Sequence, residues 1–504
     1  MSIARTSLSI TLVALLSRAL GLGRDLAITW AFGATTATDS FYVASSLTYA
    51  AYVVVATSLN SVTVPFLASR GRPDRDPSFG LAGALNWVAL ALCLVALLGM
   101  AYAGSIAQLL AGSGSGSLVS TTTNFITILM PTVVLLGGAG ILSGILNFGG
   151  VFLPVAAAPA VLNLVVIATV LALGWHIGVY SAVIGTLFGS LLFLCMQLPV
   201  LYKLPYRHSW QLSIDRQTVR YLFAPVLPVV LVGLSSYAFA FVDIAIGSMV
   251  GEGAVTAVNV ATKLIQVPQG VIAAGLTTAS FPVLSRLIHG ARIQEASELT
   301  WKVCVAILLV ALPVTALMDV TSDLIVSILF GRGTFGPSAV AQTALILRYM
   351  VLSLPPFALG IYLVRAFYAT GEWRTPVAAA AVGFVLKCVL GFILVRFLSL
   401  QAVSVSTVVA VYATNLIMMF YLNRRIPKSF GRTFSWSAAK ILASSVAVGV
   451  ALMVLRQAIP RINVRYADAI EFSIVMATGI IAMAALGSLL MKKEFGYLRS
   501  MRTL

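Results

Sequence analysis

The sequence predicts an all-α polytopic membrane protein: about fourteen transmembrane helices, as two parallel six-helix lobes around a central cavity plus two C-terminal helices. Three observations carry that prediction. Apolar runs of about twenty residues recur from end to end, the length a helix needs to cross a bilayer. Only 9% of the 504 residues are charged, against roughly 25% in soluble proteins, and the mean hydropathy is +1.01. Several stretches of the first half also return in the second, in order and at nearly one spacing. The short alternating segments of a β-barrel are absent. The first apolar segment is long and lacks the small-residue cleavage site of a signal peptide.

The first six segments are expected at 8–32, 39–67, 82–105, 119–146, 152–173 and 177–202, which makes residues 1–205 the first lobe. A basic linker, 206–219, follows within "KLPYRHSWQLSIDRQTVR". The second lobe, 220–425, holds segments at 220–248, 254–284, 299–318, 340–369, 375–396 and 399–422. Residues 426–504 supply two more, at 436–457 and 468–491, and a tail. Pro268 and the Pro355-Pro356 pair fall inside predicted helices, where proline kinks the helix and frees a carbonyl. Such kinks serve either as static bends or as rocking points in a transporter.

The net charge of +17 does not point to nucleic acid, because its placement follows the positive-inside rule. Alternate loops hold Arg70, Arg72 and Arg75; Lys203, Arg207, Arg216 and Arg220; Arg286 and Arg292; and Arg424, Arg425, Lys428 and Arg432. The tail adds Lys492, Lys493, Arg499 and Arg502. The opposite loops are nearly bare until Arg332, and 111–118 has no charge. Both termini are therefore expected in the cytoplasm, with Arg456, Arg461 and Arg465 breaking the pattern.

"LPVAAA" at 153–158 returns as "TPVAAA" at 375–380, an offset of 222. Pro65 in "VPFLASR" matches Pro282 in "FPVLSR" at an offset of 217. The run from Arg24 to Gly33 matches Val242 to Gly251 at 218. An offset of six helices keeps the two copies in the same orientation, as in transporters built from parallel repeats.

No phosphate-binding loop, zinc-protease motif or nucleophile elbow is present. Cys93, Cys195, Cys304 and Cys388 are scattered in apolar segments, and no metal or other cofactor is implied. His176, His208 and His289 fall near segment ends. What remains is intramembrane charge, which costs at least about 2.5–3.5 kcal/mol per group at mid-bilayer. The first lobe carries Arg18, Arg24, Asp25 and Asp39; the second carries Asp243, Glu252, Lys263, Arg348, Arg365 and Lys387. Arg18 and Asp25, seven apart, can share one helix face, and Gly21 and Gly23 either loosen the helix or admit a close neighbour. These groups either pair to fix helix packing or line a wet site. Arginines in such a site suit a diphosphate, whose oxygens they bind through paired hydrogen bonds.

At these residues the chain resembles the MurJ/MviN family, lipid II flippases of the multidrug/oligosaccharidyl-lipid/polysaccharide exporter superfamily. The resemblance rests on "SRALGLGRDLAITWAFGATTATDSFYVA" (17–44), "VPFLASR" (64–70) and "KLIQVPQGVIAAGLTTASFPVLSRL" (263–287). It rests also on "ILFGRGTF" (328–335) and "RAFYATGEWRTPV" (365–377). It implies a flippase that moves undecaprenyl-diphosphate-linked peptidoglycan precursor across the bacterial cytoplasmic membrane by alternating access. The family's cationic substrate residues carry over to Arg18 and Arg24, and its eighth-helix arginine aligns with Lys263. Its second-helix acid carries over to Asp39, which with Asp25 would exchange ion pairs during gating. Asp243 is the candidate for a coupling monovalent cation, membrane potential being the other source of drive. The last two helices would accommodate the polyprenyl tail.

The chain departs from the family pattern at Ser46, Tyr52, Val53 and Thr57 of the second helix, at Thr262, and in carrying Lys387 in the eleventh. The expected partners are lipid II or a related polyprenyl-diphosphate glycan, membrane lipids and cell-wall synthesis proteins, the chain itself being monomeric. Two alternatives stay open: a flippase for another polyprenyl-diphosphate glycan, and a non-transporting envelope scaffold. A cation antiporter would need an acid-dominated site instead.

Overall fold

Helix accounts for nearly all of what the computed structural model describes, residues 3–69, 81–112, 115–201, 209–210, 213, 226–458, 467–490 and 494. The linker's charges (Lys203, Arg207, Arg216, Arg220) and His208 lie outside the described residues. So do Arg70, Arg72, Arg75, Arg461, Arg465, Lys492, Lys493, Arg499 and Arg502. The described chain forms two units, Met1–Thr256 with Gly333–Phe335, and Ala257–Arg332 with Gly336–Leu504.

The first unit contains α1 (Ile3–Phe32), α2 (Thr36–Ser69), α3 (Leu81–Ala101), α4 (Ala103–Ala111) and α5 (Gly116–Leu129). It continues with α6 (Pro131–Phe148), α7 (Leu153–Ile177), α8 (Tyr180–Cys195), the short α9 (Leu198–Leu201) and α10 (Val226–Val250). The third predicted segment bends by 71° between α3 and α4. The fourth is two helices, because Pro131 opens α6 after a break at Met130, and a helix's first turn is where proline costs least. Phe41, Phe125, Ile126, Leu129, Val133, Val166 and Val183 build the core. α2 packs along α5, α6 and α10, and α1 lies on α7. α1 runs unbroken through Gly21 and Gly23, over which Asn163 and Ile167 of α7 pack. The α7–α8 hairpin is close because a Cβ at Gly185 would strike Thr169.

The second unit takes most of α11 (Ala254–His289), then α12 (Ile293–Val320), α13 (Ser322–Phe330), α14 (Pro337–Met350) and α15 (Leu354–Ala369). It ends with α16 (Arg374–Leu398), α17 (Gln401–Arg425), α18 (Arg432–Ala458) and α19 (Ala467–Leu490). Here α12 is the central helix, its stretch 303–309 wholly buried. The α16–α17 hairpin repeats α7–α8, with Gly383 set against Thr414 as Gly185 is against Thr169. Pro355 and Pro356 lie, as expected, inside one helical span, Pro337–Ala369, which tightens just before them. A 3₁₀ turn, Val351–Ser353, ends α14, and the two prolines occupy the first turn of α15. Pro268 does lie inside α11. α18 and α19 pack on α12 through Leu317, Val320, Val448, Leu452 and Val475.

Each predicted segment is met by helix. Nine spans among the described residues, ten if α3 and α4 form one, are long and apolar enough to cross a membrane by length and composition. The remaining long helices are α1, α2, α10 and α11, which carry the charges considered next.

Candidate substrate-binding site

Arg24 and Asp25 are the two predicted residues that the structure joins. Nε and a terminal nitrogen of Arg24 donate to the same carboxylate oxygen of Asp25, at 3.1 and 2.9 Å. The second Asp25 oxygen and the Tyr42 hydroxyl are buried with no hydrogen-bond partner. Asp25 is 1% exposed but Arg24 keeps 22% of its side chain accessible. One oxygen of one carboxylate therefore restrains Arg24 and leaves part of its donor fork unused. Arg18 lies further down α1, exposed, and makes no ion pair among the described residues. The shared face expected for Arg18 and Asp25 does not bring them together.

Asp39 sits in the first turn of α2, where its partners are two backbone N–H groups and a threonine hydroxyl rather than an arginine. One carboxylate oxygen accepts from Gly253 N–H at 2.7 Å. The other accepts from Thr256 N–H at 2.7 Å and from its hydroxyl at 2.6 Å. Asp39 thus caps α11, satisfying donors that a helix start leaves orphaned and meeting its positive dipole end. The favour is returned: Glu252 accepts from Thr36 N–H at 2.9 Å and its hydroxyl at 3.1 Å at the start of α2. Gly253 makes the approach possible, since at φ 79° a Cβ would lie 2.7 Å from the Ala34 carbonyl oxygen. A third turn joins them, with Thr334 N–H donating to the Trp30 carbonyl at 3.0 Å. Sequence reasoning missed Glu252, Gly253 and Thr256 as partners of α2. The repeated glycines Gly33 and Gly251 were the available signal.

The other predicted residues lie on other helices. Asp243 is half-buried on α10 and Lys263 half-buried on α11, the latter in the second unit. Lys387 is 0% exposed, and its ammonium donates to the Thr407 hydroxyl at 2.9 Å. Of the departures on α2, Ser46 donates to its own helix at Val43 O and Tyr52 meets Phe193 edge-on. The Thr57 side chain lies outside the described residues, and Thr262 contacts the Met350 sulfur at 3.6 Å. Arg456, the break in loop charge, is compensated locally. It donates to Asp323, to Glu471 and, at 2.8 Å, to the Val320 carbonyl.

The fold matches two kinds of solved transporter. The chain superposes on a lipid II flippase MurJ in an inward closed conformation with a TM-score of 0.82, at 19% identity, over 96% of this chain and 99% of that one. An inward-facing multidrug resistance MATE family transporter matches at 0.70, with 14% identity over 82% and 98%. Among sequences, a probable lipid II flippase MurJ of Rhizobium meliloti (strain 1021) is 27% identical over 416 residues, covering 80% of this chain and 77% of the relative. The lipid II flippase MurJ of Burkholderia cenocepacia is 27% identical over 437 residues, 84% of each chain. The family model described as Lipid II flippase MurJ matches residues 28–477. That span includes Asp39 and its capping partners but starts just after the Arg24–Asp25 pair, and with so much of the chain covered, this polypeptide belongs to the lipid II flippase MurJ family.

Proposed function

We propose that the chain moves lipid II, a polyprenyl-diphosphate-linked glycan, from the inner to the outer leaflet of the bacterial cytoplasmic membrane. The observation that carries this reading is the half-compensated Arg24, with an exposed Arg18 six residues before it on the same helix. An arginine kept in an apolar helix without full neutralisation has the free donors that a diphosphate needs. Arg18 and Arg24 take the diphosphate, and Lys263 adds a point charge to the same task. With both termini in the cytoplasm, the Asp39 and Glu252 caps lie at the outer ends of their helices. They hold that end shut, and transport needs them to break and re-form as the site alternates between the two faces. Asp243 is the carboxylate assigned to a coupling cation.

Complementation tests the reading. The resident lipid II flippase of a bacterium is depleted, this chain is expressed, and lipid II translocation is assayed beside Arg24→Ala at matched membrane levels. Restoration by the parent and failure of the variant is the expected result. Failure of both, with proper insertion, removes lipid II as the substrate. A flippase for another polyprenyl-diphosphate glycan is the second reading, favoured by the uncharged Ser46, Tyr52 and Val53 on α2.

A further inference from the structure

Three tyrosines on α2 and α10 of the first unit have no part in the mechanism above. The Tyr49 ring lies 5.7 Å from that of Tyr52, three residues along the same helix. It also meets Tyr237 of α10 edge-on at 6.4 Å. Tyr52 is backed in turn by Phe193 of α8 at 5.9 Å. Tyr49 is 50% exposed, although it lies thirteen residues into a 34-residue helix, about 20 Å from the helix start.

That depth is the wrong place for tyrosines facing lipid. Their rings belong at the membrane–water interface, where the hydroxyl stays wet. In hydrocarbon an unmet hydroxyl is costly. The hydroxyls of Tyr49, Tyr52 and Tyr237 make no hydrogen bond among the described residues. α1 and α2 meet at the short turn 33–35, and Arg24 lies eight residues before the end of α1, about 12 Å along it, so Tyr49 stands about a turn and a half deeper than the guanidinium. Behind it the Tyr42 hydroxyl and one Asp25 oxygen are buried and unpartnered, which marks unused hydrogen-bonding capacity at the same place.

In a polyprenyl-diphosphate glycan the first sugar is bonded directly to the diphosphate. A ligand whose phosphates meet Arg24 therefore carries its sugar rings past these tyrosines. We propose that Tyr49, Tyr52 and Tyr237 form a stacking platform for the sugar of the lipid-linked glycan. The rings cover the apolar C–H face of the sugar, and their hydroxyls meet its polar edge. Aromatic cations fit poorly here, because Arg18 and Arg24 repel them. With α2 uncharged at Ser46, Tyr52 and Val53, this chain recognises the sugar by ring contact, with the diphosphate left to arginine. The inference rests on the substrate class proposed above.

The test is equilibrium binding to the full chain in lipid nanodiscs, with two probes of the same tail and diphosphate. One is lipid II; the other is undecaprenyl diphosphate, which has no sugar. The parent binds lipid II more tightly. Tyr49→Leu weakens lipid II about tenfold and leaves undecaprenyl diphosphate unchanged, which also shows that the variant is folded. Tyr49→Trp keeps the preference, and Arg24→Gln weakens both probes. If Tyr49→Leu retains the full preference for lipid II, or weakens the two probes equally, the platform is wrong and the flippase reading stands. If the parent binds neither probe, both fall.

Discussion

Two arginines in apolar helices, Arg24 on α1 and Arg456 on α18, meet opposite fates. Arg456 has two carboxylates and a helix-end carbonyl arranged around it. It ties Asp323 in the first turn of α13 to Glu471 on α19, and Ser327 adds a bond to Asp468 beside them. Four of its five N–H donors are engaged, so its work is to hold the C-terminal helical pair on the second unit. Arg24 has one oxygen of its own neighbour. Charge in a membrane segment is thus not by itself a functional signal. The informative quantity is how much of its hydrogen-bonding capacity the protein leaves unmet.

The sharpest way to break that comparison is to truncate both. The double variant Arg24→Ala/Asp25→Asn, which removes the guanidinium without stranding a buried charge, should lower lipid II translocation about a hundredfold, the worth of a lost charge-assisted contact to phosphate, and change the thermal unfolding of the purified protein little. Arg456→Ala should do the reverse. It strands two carboxylates and should lower unfolding stability by about 2 kcal/mol, with transport falling only as folded protein is lost. Asp323 is 50% exposed, which keeps that figure below the cost of a fully buried pair. Equal effects of the two variants on stability would erase the distinction.

How far the sequence foretold this follows the range of the interactions. Helical segments were legible because apolar period and length are local, and the duplication was legible because it repeats short strings. Breaks were harder. Met130–Pro131 and the 3₁₀ turn before Pro355 lie inside apolar runs that hydropathy cannot divide. Arg24 and Asp25 were legible as a pair because they are adjacent in sequence. The partners of Asp39 lie more than 210 residues away, so its type and approximate depth could be read but not its role as a helix cap. For the same reason Arg456 looked like an exception to the charge rule when Asp323 and Glu471 already neutralise it. Tyr49 gave no signal at all, since sequence does not distinguish a ring facing lipid from one facing a site.

The reciprocal caps provide the next comparison, between a buried acid and an exposed one. Asp39→Asn can still accept through one oxygen but turns an amide toward a backbone N–H. It should lower stability by about 1–2 kcal/mol and reduce translocation about tenfold. Glu252→Gln keeps its accepting oxygen for Thr36 and stands in solvent. Its effect on either measurement should stay below about threefold. A larger loss for Glu252→Gln than for Asp39→Asn would reverse the assignment of the buried acid as the main latch.

The smallest effect comes from the duplicated hairpins. Gly178 ends α7 at φ 58° and ψ −142°, and Ser399 ends α16 at φ 50° and ψ −128°. The hydrogen bonding is the same in both turns. Gly178 N–H reaches Gly174 O at 3.0 Å and Ser399 N–H reaches Val395 O at 3.1 Å, while Ser181 and Ala402 donate back to the turn residue. Only glycine occupies this region without strain, and a side chain there costs of order 1–3 kcal/mol. Ser399→Gly relieves that strain and adds about 0.5–1 kcal/mol of chain entropy to the unfolded state. The strain is the larger quantity, so the variant should be more stable by about 0.5–1 kcal/mol in thermal unfolding. Gly178→Ser should lose about as much or more. A destabilised Ser399→Gly would mean that the serine side chain contributes more to the α16–α17 turn than its backbone strain removes.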